Sequence, residues 1–257
     1  MSLQLNLEKS QAALQLCLAK AGIVTPPKVD LAFVLDVSGS FEDEHRAGIT
    51  GQLLTRLVPW GLTFDPDQQL EVFTFSSGPQ SAHAVGAVNA GNYRGYVEKH
   101  IVARVPGWGG GTDYAPVLES VLRSFGWLPA APASGMLGRF LAQFCGRPQK
   151  SPENAPGRPT LVIFVTDGEN SDAARTLEVL RASQQRRDAV YFLFLGISNQ
   201  GGRFPFLARL GEEFANTAFL PIPHLARFVS QDDTALNQAL LGEELLAWLR
   251  GKSPHSK

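Results

Sequence analysis

The sequence predicts an α/β fold: a mostly parallel central β-sheet with helices on both faces. Three observations predict it. Short apolar runs alternate with longer amphipathic segments, which is the pattern of repeated βαβ units. Several of those runs show no polar alternation, as strands buried on both faces do. The chain has 257 residues, 44% of them hydrophobic, enough for one large domain with a buried core.

Each element can be justified in chain order. Leu31–Asp36 (LAFVLD) is continuously apolar up to its last residue and reads as a buried strand. Glu42–Trp60 follows as a helix. Leu70–Phe75 (LEVFTF) is a second strand. His83–Val88 comes after the turn at Ser76–Gln80 and reads as an antiparallel edge strand. Tyr93–Ile101 is a short helix, and Tyr114–Phe125 a helix that begins after a glycine-rich turn. Leu161–Thr166 (LVIFVT) and Ala189–Leu195 (AVYFLFL) are again unbroken apolar runs, so they belong at the centre of the sheet. Between them Asp172–Gln185 is a helix, with Asn170-Ser171 suited to its N-cap. Arg203–Leu210 is a short helix and Thr217–Leu220 a short last strand. Asp232–Leu249 reads as one long helix, with Leu236, Leu240, Leu241, Leu245 and Leu249 along one stripe.

Two segments stand outside this alternation. Residues 1–28 are expected to be a lead-in that packs on the domain: an extended Leu3–Leu7, then a helix over Ser10–Ala21, closed by Pro26-Pro27. Residues 128–159 are rich in Pro, Gly, Ala and Ser and read as a surface insertion, helical in part over Met136–Cys145. The main domain is expected over 29–250, with 251–257 as a flexible tail.

The bulk properties narrow the function. Lys and Arg number 23 against 24 Asp and Glu, a formal net charge of -1. Nothing there points to nucleic acid or an anionic membrane. No stretch approaches 18 uninterrupted apolar residues, so no membrane span is expected. Cys17 and Cys145 are the two cysteines and form no C-x-x-C pair. Met1–Lys20 lacks the basic region and apolar run of a secretory leader. A cytoplasmic setting is therefore expected.

The chemistry gathers at three places, each just after a strand or just before a helix. They are Asp36-Val37-Ser38-Gly39-Ser40, Gly109-Gly110-Gly111-Thr112-Asp113 and Thr166-Asp167-Gly168. In open α/β sheets ligands bind beyond the carboxyl ends of the strands, near a topological switch point. Residues far apart in sequence would converge there. Ser38, Ser40 and Thr112 offer hydroxyl oxygens; Asp36 and Asp167 offer charge. That set suits a hard divalent cation such as magnesium, with manganese or calcium as alternatives. No His or Cys cluster accompanies it, which argues against zinc. The two carboxylates balance the ion's charge. If they act through water, the metal stays electrophilic, and one position can take a carboxylate from a partner protein. Each string alone also reads as a turn or a helix cap. Their order and placement make the set.

Together these strings resemble the metal-ion-dependent adhesion site (MIDAS) of von Willebrand factor A (vWA) domains, over about Lys28 to Leu249. The resemblance implies a Rossmann-like sheet, Ser38, Ser40 and Thr112 as direct ligands, and Asp36 and Asp167 acting mainly through water. A narrower likeness lies in Gly110–Pro116 (GGTDYAP), Val165–Asn170 (VTDGEN) and the terminal helix ending in Trp248-Leu249. These are similar to the vWA domain of TerF-type tellurium-resistance proteins, which implies a cytoplasmic bacterial stress or toxic-anion setting. Phe41 stands where the family usually has Met, beside the ligands rather than among them. Trp108, Phe41, Asp113 and Gly168 are candidates for partner contact or for supporting the site; Asp113 is expected to back the ligands or cap a helix. His45, His83, His100, His224 and His255 are scattered and read as surface or internally satisfied residues. The expected function is a metal-dependent protein-binding module without enzymatic activity. The rivals are a metal-assisted phosphoester hydrolase and a module whose metal only stiffens its loops. The hydrolase is disfavoured because Ser38 stands where a second acid or base is needed, and no Lys in these loops could clamp a phosphate.

Overall fold

The computed structural model describes residues 6–129, 157–198 and 203–253. Six strands form one sheet: β1 (Asp30–Asp36), β2 (Gln69–Phe75), β3 (His83–Asn89), β4 (Thr160–Thr166), β5 (Val190–Ile197) and β6 (Thr217–Ile222). Their order is β3-β2-β1-β4-β5-β6. All neighbours are parallel except β3, which runs antiparallel to β2 at the edge.

The continuous apolar runs have a direct cause. Along β1, Leu31, Phe33 and Leu35 enter one core cluster, while Ala32 and Val34 enter the other. Both faces are covered, so neither parity can be polar. Over the first face pack α1 (Leu7–Lys20), α2 (Glu42–Arg46), α3 (Ile49–Phe64), α4 (Tyr96–His100), α8 (Leu225–Val229), α9 (Asp233–Leu240) and α10 (Glu243–Arg250). Over the second pack α5 (Ala115–Ser124), α6 (Ala173–Arg186) and α7 (Pro205–Glu213). The second face is aromatic, with Phe75, Tyr114, Phe164 and Phe194 in successive ring contacts of 4.7–5.8 Å.

Several expected elements change at their ends or divide. The segment Glu42–Trp60 is two helices, because Gly48 takes a left-handed conformation at φ +72° and α3 starts afresh at Ile49. The segment Asp232–Leu249 is also two, α9 and α10, separated at Leu241-Gly242. Its leucine stripe is buried throughout all the same. Leu7 opens a helix rather than closing an extended stretch, with Asn6 as its N-cap; residues 1–5 lie outside the described residues, as does Met136–Cys145. The helix expected from Asp172 starts at Ala173 with Asp172, not Asn170 or Ser171, at its N-cap.

The lead-in helix α1 is tied to the body by polar contacts. Ser10 Oγ donates to Asp233 Oδ2 at 2.7 Å, and Gln11 Nε2 donates to the Leu62 carbonyl at 3.1 Å. Asp233 also pairs with the buried Arg56 at 3.0 Å. Among the described residues no helix is long and apolar enough to cross a membrane.

Candidate metal centre

From β1 the chain builds β2 and β3 to one side, then crosses to β4 on the other. The switch point therefore lies between the carboxyl ends of β1 and β4. Leu35 pairs in register with Val165, so the next residues, Asp36 and Thr166, close the two strands side by side.

Asp36 has no solvent exposure. Its Oδ1 accepts the Ser38 amide at 2.8 Å, and its Oδ2 accepts the Thr166 hydroxyl at 2.6 Å. Burial pushes the carboxyl up to about 7 despite those bonds, and the nearby Asp167 charge adds to the rise. Beyond β4, Asp167 receives a hydrogen bond from Ser40 Oγ at 2.9 Å, and Ser40 Oγ lies 3.2 Å from Ser38 Oγ. Burial, with the charge of Glu44 adding to it, raises Asp167 to about 6. Thr112 is nearly buried, and its Oγ1 lies 3.6 Å from where a Cβ on Gly168 would be. The structure thus brings Asp36, Ser38, Ser40 and Asp167 into one polar group, with Thr112 beside it.

The third loop is held by backbone. The Gly39 amide donates to the Gly110 carbonyl at 3.0 Å, and the Gly109 amide to the Val37 carbonyl at 2.9 Å. Ser38 and Gly110 form an isolated parallel bridge. Glycine is required at 107: φ is +77°, and a Cβ there would stand 2.5 Å from the Ser81 Cβ. Asp113 faces away from the cluster, its Oδ2 accepting the Gly78 amide at 2.8 Å. It joins this loop to the turn after β2 and does not cap α5.

Beneath the cluster is His45, fully buried. Its Nε2 lies 2.8 Å from the Asp36 carbonyl and its Nδ1 2.8 Å from Thr50 Oγ1. A carbonyl only accepts, so Nε2 carries the proton and Nδ1 accepts from Thr50. Burial holds the imidazole down at about 4, in the neutral form. Its ring contacts Phe41 at 5.0 Å and Trp108 at 5.2 Å. Phe41 is completely buried, so it supports the loop from below and offers no surface to a partner. Trp108 is half-buried and leans on His45. The Gly168 carbonyl accepts the Tyr114 hydroxyl. In the sequence His45 is one of five scattered histidines, and Thr166 and Tyr114 stand in the quoted strings with no role of their own. The signal for Thr166 was present: it is the last residue of a central strand, level with Asp36.

The donor set is all oxygen, three hydroxyls and two carboxylates. Among the described residues no group of three or more His, Cys, Asp or Glu gathers as a metal site. Asp36 is buried and Asp167 half-buried, and the loss of water raises both carboxyls. The residues present therefore fit a hard divalent cation.

The six-stranded, mostly parallel sheet flanked by helices has the vWA-type fold. Residues 28–133 match the family model vWA-TerF-like, described as the vWA found in the TerF C terminus. That match covers less than half of the chain, and over it the chain is similar to a TerF-like vWA domain. It is 25% identical over 219 residues to the uncharacterized protein YcbR of Bacillus subtilis (strain 168), which covers 83% of this chain and 74% of YcbR. Among solved structures it is similar to proximal thread matrix protein 1 from the mussel byssus, at 16% identity and a TM-score of 0.50, covering 83% of this chain and 48% of that one. A form of that mussel protein with a zinc-occupied MIDAS motif matches at 18% identity and a TM-score of 0.49, covering 87% and 48%. The chain spans about half the length of these solved structures.

Proposed function

We propose that this domain binds one divalent cation, in the cell Mg2+, through Asp36, Ser38, Ser40, Thr112 and Asp167, and uses it to hold an acidic group of a partner protein. The observation that carries the reading is the chain from Ser38 Oγ through Ser40 Oγ to Asp167 Oδ1, at 3.2 and 2.9 Å, beside the fully buried Asp36. Three short polar side chains from two loops converge where a cation would satisfy them all. The hydroxyls would bind directly. The carboxylates, already engaged by Thr166 and Ser40, would act mainly through water. A metal with neutral direct ligands keeps its pull on an incoming carboxylate. Residues 29–250 would form the binding domain and 1–28 its docked lead-in. The TerF-like match supports a cytoplasmic role in a bacterial toxic-anion or stress-resistance system, as a binding module and not an enzyme.

The test is a native-lysate pull-down with wild-type protein and Asp36→Ala, each with Mg2+ and with chelator. Capture of a partner by wild type in Mg2+ alone is expected. Capture that persists in chelator and with Asp36→Ala overturns the reading. Sustained phosphoester turnover by the purified protein with Mg2+ would replace it with the hydrolase.

A further inference from the structure

We infer that Asp172 is the positioning residue that holds Thr112 and Asp167, two of the proposed metal ligands, at their working separation. The inference rests on the metal-binding reading for its consequence, but on hydrogen bonds for its geometry.

Asp172 ends the loop that begins at Asp167, and caps its own helix by no side-chain bond. Its carboxylate reaches across to a different helix. Oδ1 accepts the Tyr114 amide at 3.0 Å and Oδ2 accepts the Ala115 amide at 2.8 Å. These are among the first amides of α5, which have no partner inside that helix. Oδ1 also takes Asn170 Nδ2 at 2.8 Å and Thr176 Oγ1 at 3.1 Å. Every bond puts a donor on the carboxylate, and the N-terminus of α5 adds its positive dipole end.

Neighbouring residues complete the strap. Ser171 donates twice to the Thr112 carbonyl, from its amide and from its hydroxyl, each at 2.9 Å. The Tyr114 hydroxyl returns to the Gly168 carbonyl. Thr112–Ala115 and Gly168–Asp172 are therefore one welded unit, with Thr112 and Asp167 at its edge. No bond in this unit involves a proposed ligand's side chain, so the unit is assembled before any cation arrives. Removing the carboxylate leaves the Tyr114 and Ala115 amides without their acceptor and frees the two loops to part. Partners that orient metal ligands in this way typically change metal affinity roughly 10- to 100-fold when removed.

The control is Asp232, which caps α9 by accepting the Ala235 amide at 2.9 Å, outside the ligand loops. Mn2+ titration by calorimetry on wild type, Asp172→Ala, Asp172→Asn and Asp232→Ala is the experiment. Amide hydrogen exchange on the same proteins in chelator accompanies it. Asp172→Ala should weaken Mn2+ at least tenfold, and Asp172→Asn, which keeps one acceptor oxygen, by less. Asp232→Ala should lower the melting temperature and leave Mn2+ affinity unchanged. In chelator the amides of 112–115 and 168–172 should lose protection together in Asp172→Ala. If Asp172→Ala melts early but binds Mn2+ like wild type, the inference is overturned. If wild type takes up no Mn2+, the metal reading falls, and exchange alone decides: joint loss of protection supports the strap, and unchanged protection sinks it. Should Asp172→Ala not fold, Asp172→Asn carries both measurements.

Discussion

Strand β1 begins and ends with a buried aspartate, and the two ends have been completed differently. Asp30 is 4% exposed and pairs with the guanidinium of Arg158 at 3.1 Å. Asp36 is fully buried, its hydrogen-bond partners are a neutral amide and a neutral hydroxyl, and among the described residues it forms no ion pair. The same side chain on the same strand is neutralised from within at one end and not at the other. A buried carboxylate with its own cation is structural. One surrounded by hydroxyls and amides is, on the metal-binding proposal, a place for a cation from solution.

The sharpest way to break this comparison is Asp36→Asn. It should abolish Mn2+ uptake, a loss of at least about 100-fold by calorimetry, since two carboxylates must offset the ion's charge. In chelator and at neutral pH its melting temperature should not fall below wild type, because an ionised, desolvated group has been removed. A variant that still binds Mn2+ would place the ion elsewhere.

Next in size is His45→Leu. The leucine fills the space against Phe41 and Trp108 but leaves the Asp36 carbonyl and the Thr50 hydroxyl unsatisfied and buried. A loss of about 2–4 kcal/mol is expected from two such groups, read by urea denaturation in chelator. A loss below about 1 kcal/mol would mean that water replaces the imidazole.

The pH dependence sharpens the same contrast. A cation needs Asp36 and Asp167 ionised, and burial has raised them to about 7 and about 6. Protons therefore compete below neutrality, and Mn2+ affinity should fall about tenfold or more from pH 8 to pH 6. Stability without metal runs the opposite way for Asp36. A carboxyl whose folded value lies above its unfolded one favours the fold at low pH, and that contribution is lost as pH rises through about 7. His45, held down at about 4, has the reverse sign: its contribution is present above its ordinary 6.5 and is lost as pH falls toward 4. In wild type the two oppose each other, and Asp65 and Asp167, both raised to about 6, add to the Asp36 direction. The difference between wild type and Asp36→Asn isolates Asp36: equal melting near pH 4, and wild type lower by pH 8. A difference that stays flat with pH would contradict the buried, metal-free carboxylate.

How much of this was legible in the sequence follows from what local pattern can encode. Strands β1, β4 and β5 have two covered faces and are unbroken apolar strings, so pattern alone placed them, while the half-buried β3 was placed by the turn that precedes it. The ligand strings were legible because Asp36, Ser38 and Ser40 are close in sequence and the glycines mark a turn. Helix breaks were not read, because the leucine stripe of α9 and α10 continues across Leu241-Gly242 as if the helix did, and Gly48 was not weighed as a left-handed stop. The supports were illegible for another reason. His45 meets Asp36 only because α2 folds back under the end of β1, and Asp172 reaches Tyr114 only because the sheet order sets α5 beside α6. Spacing in sequence does not report such contacts; topology creates them.

The smallest expected effect belongs to the other end of β1. Asp30→Asn removes the charge facing Arg158, whose side chain is 30% exposed and can turn toward water. The stranded guanidinium therefore costs less than a fully buried one would, about 1–2 kcal/mol. Mn2+ affinity should be unchanged, since Asp30 and Asp36 lie at opposite ends of a seven-residue strand, some 20 Å apart at the rise of an extended chain. Arg158→Glu should cost more than Asp30→Asn, because two like charges would then meet at a nearly buried position. If instead Asp30→Asn weakened Mn2+ binding, the two ends of β1 would be coupled through the strand. The contrast between a completed carboxylate and one proposed to take a cation would then no longer explain why hydroxyls gather around Asp36.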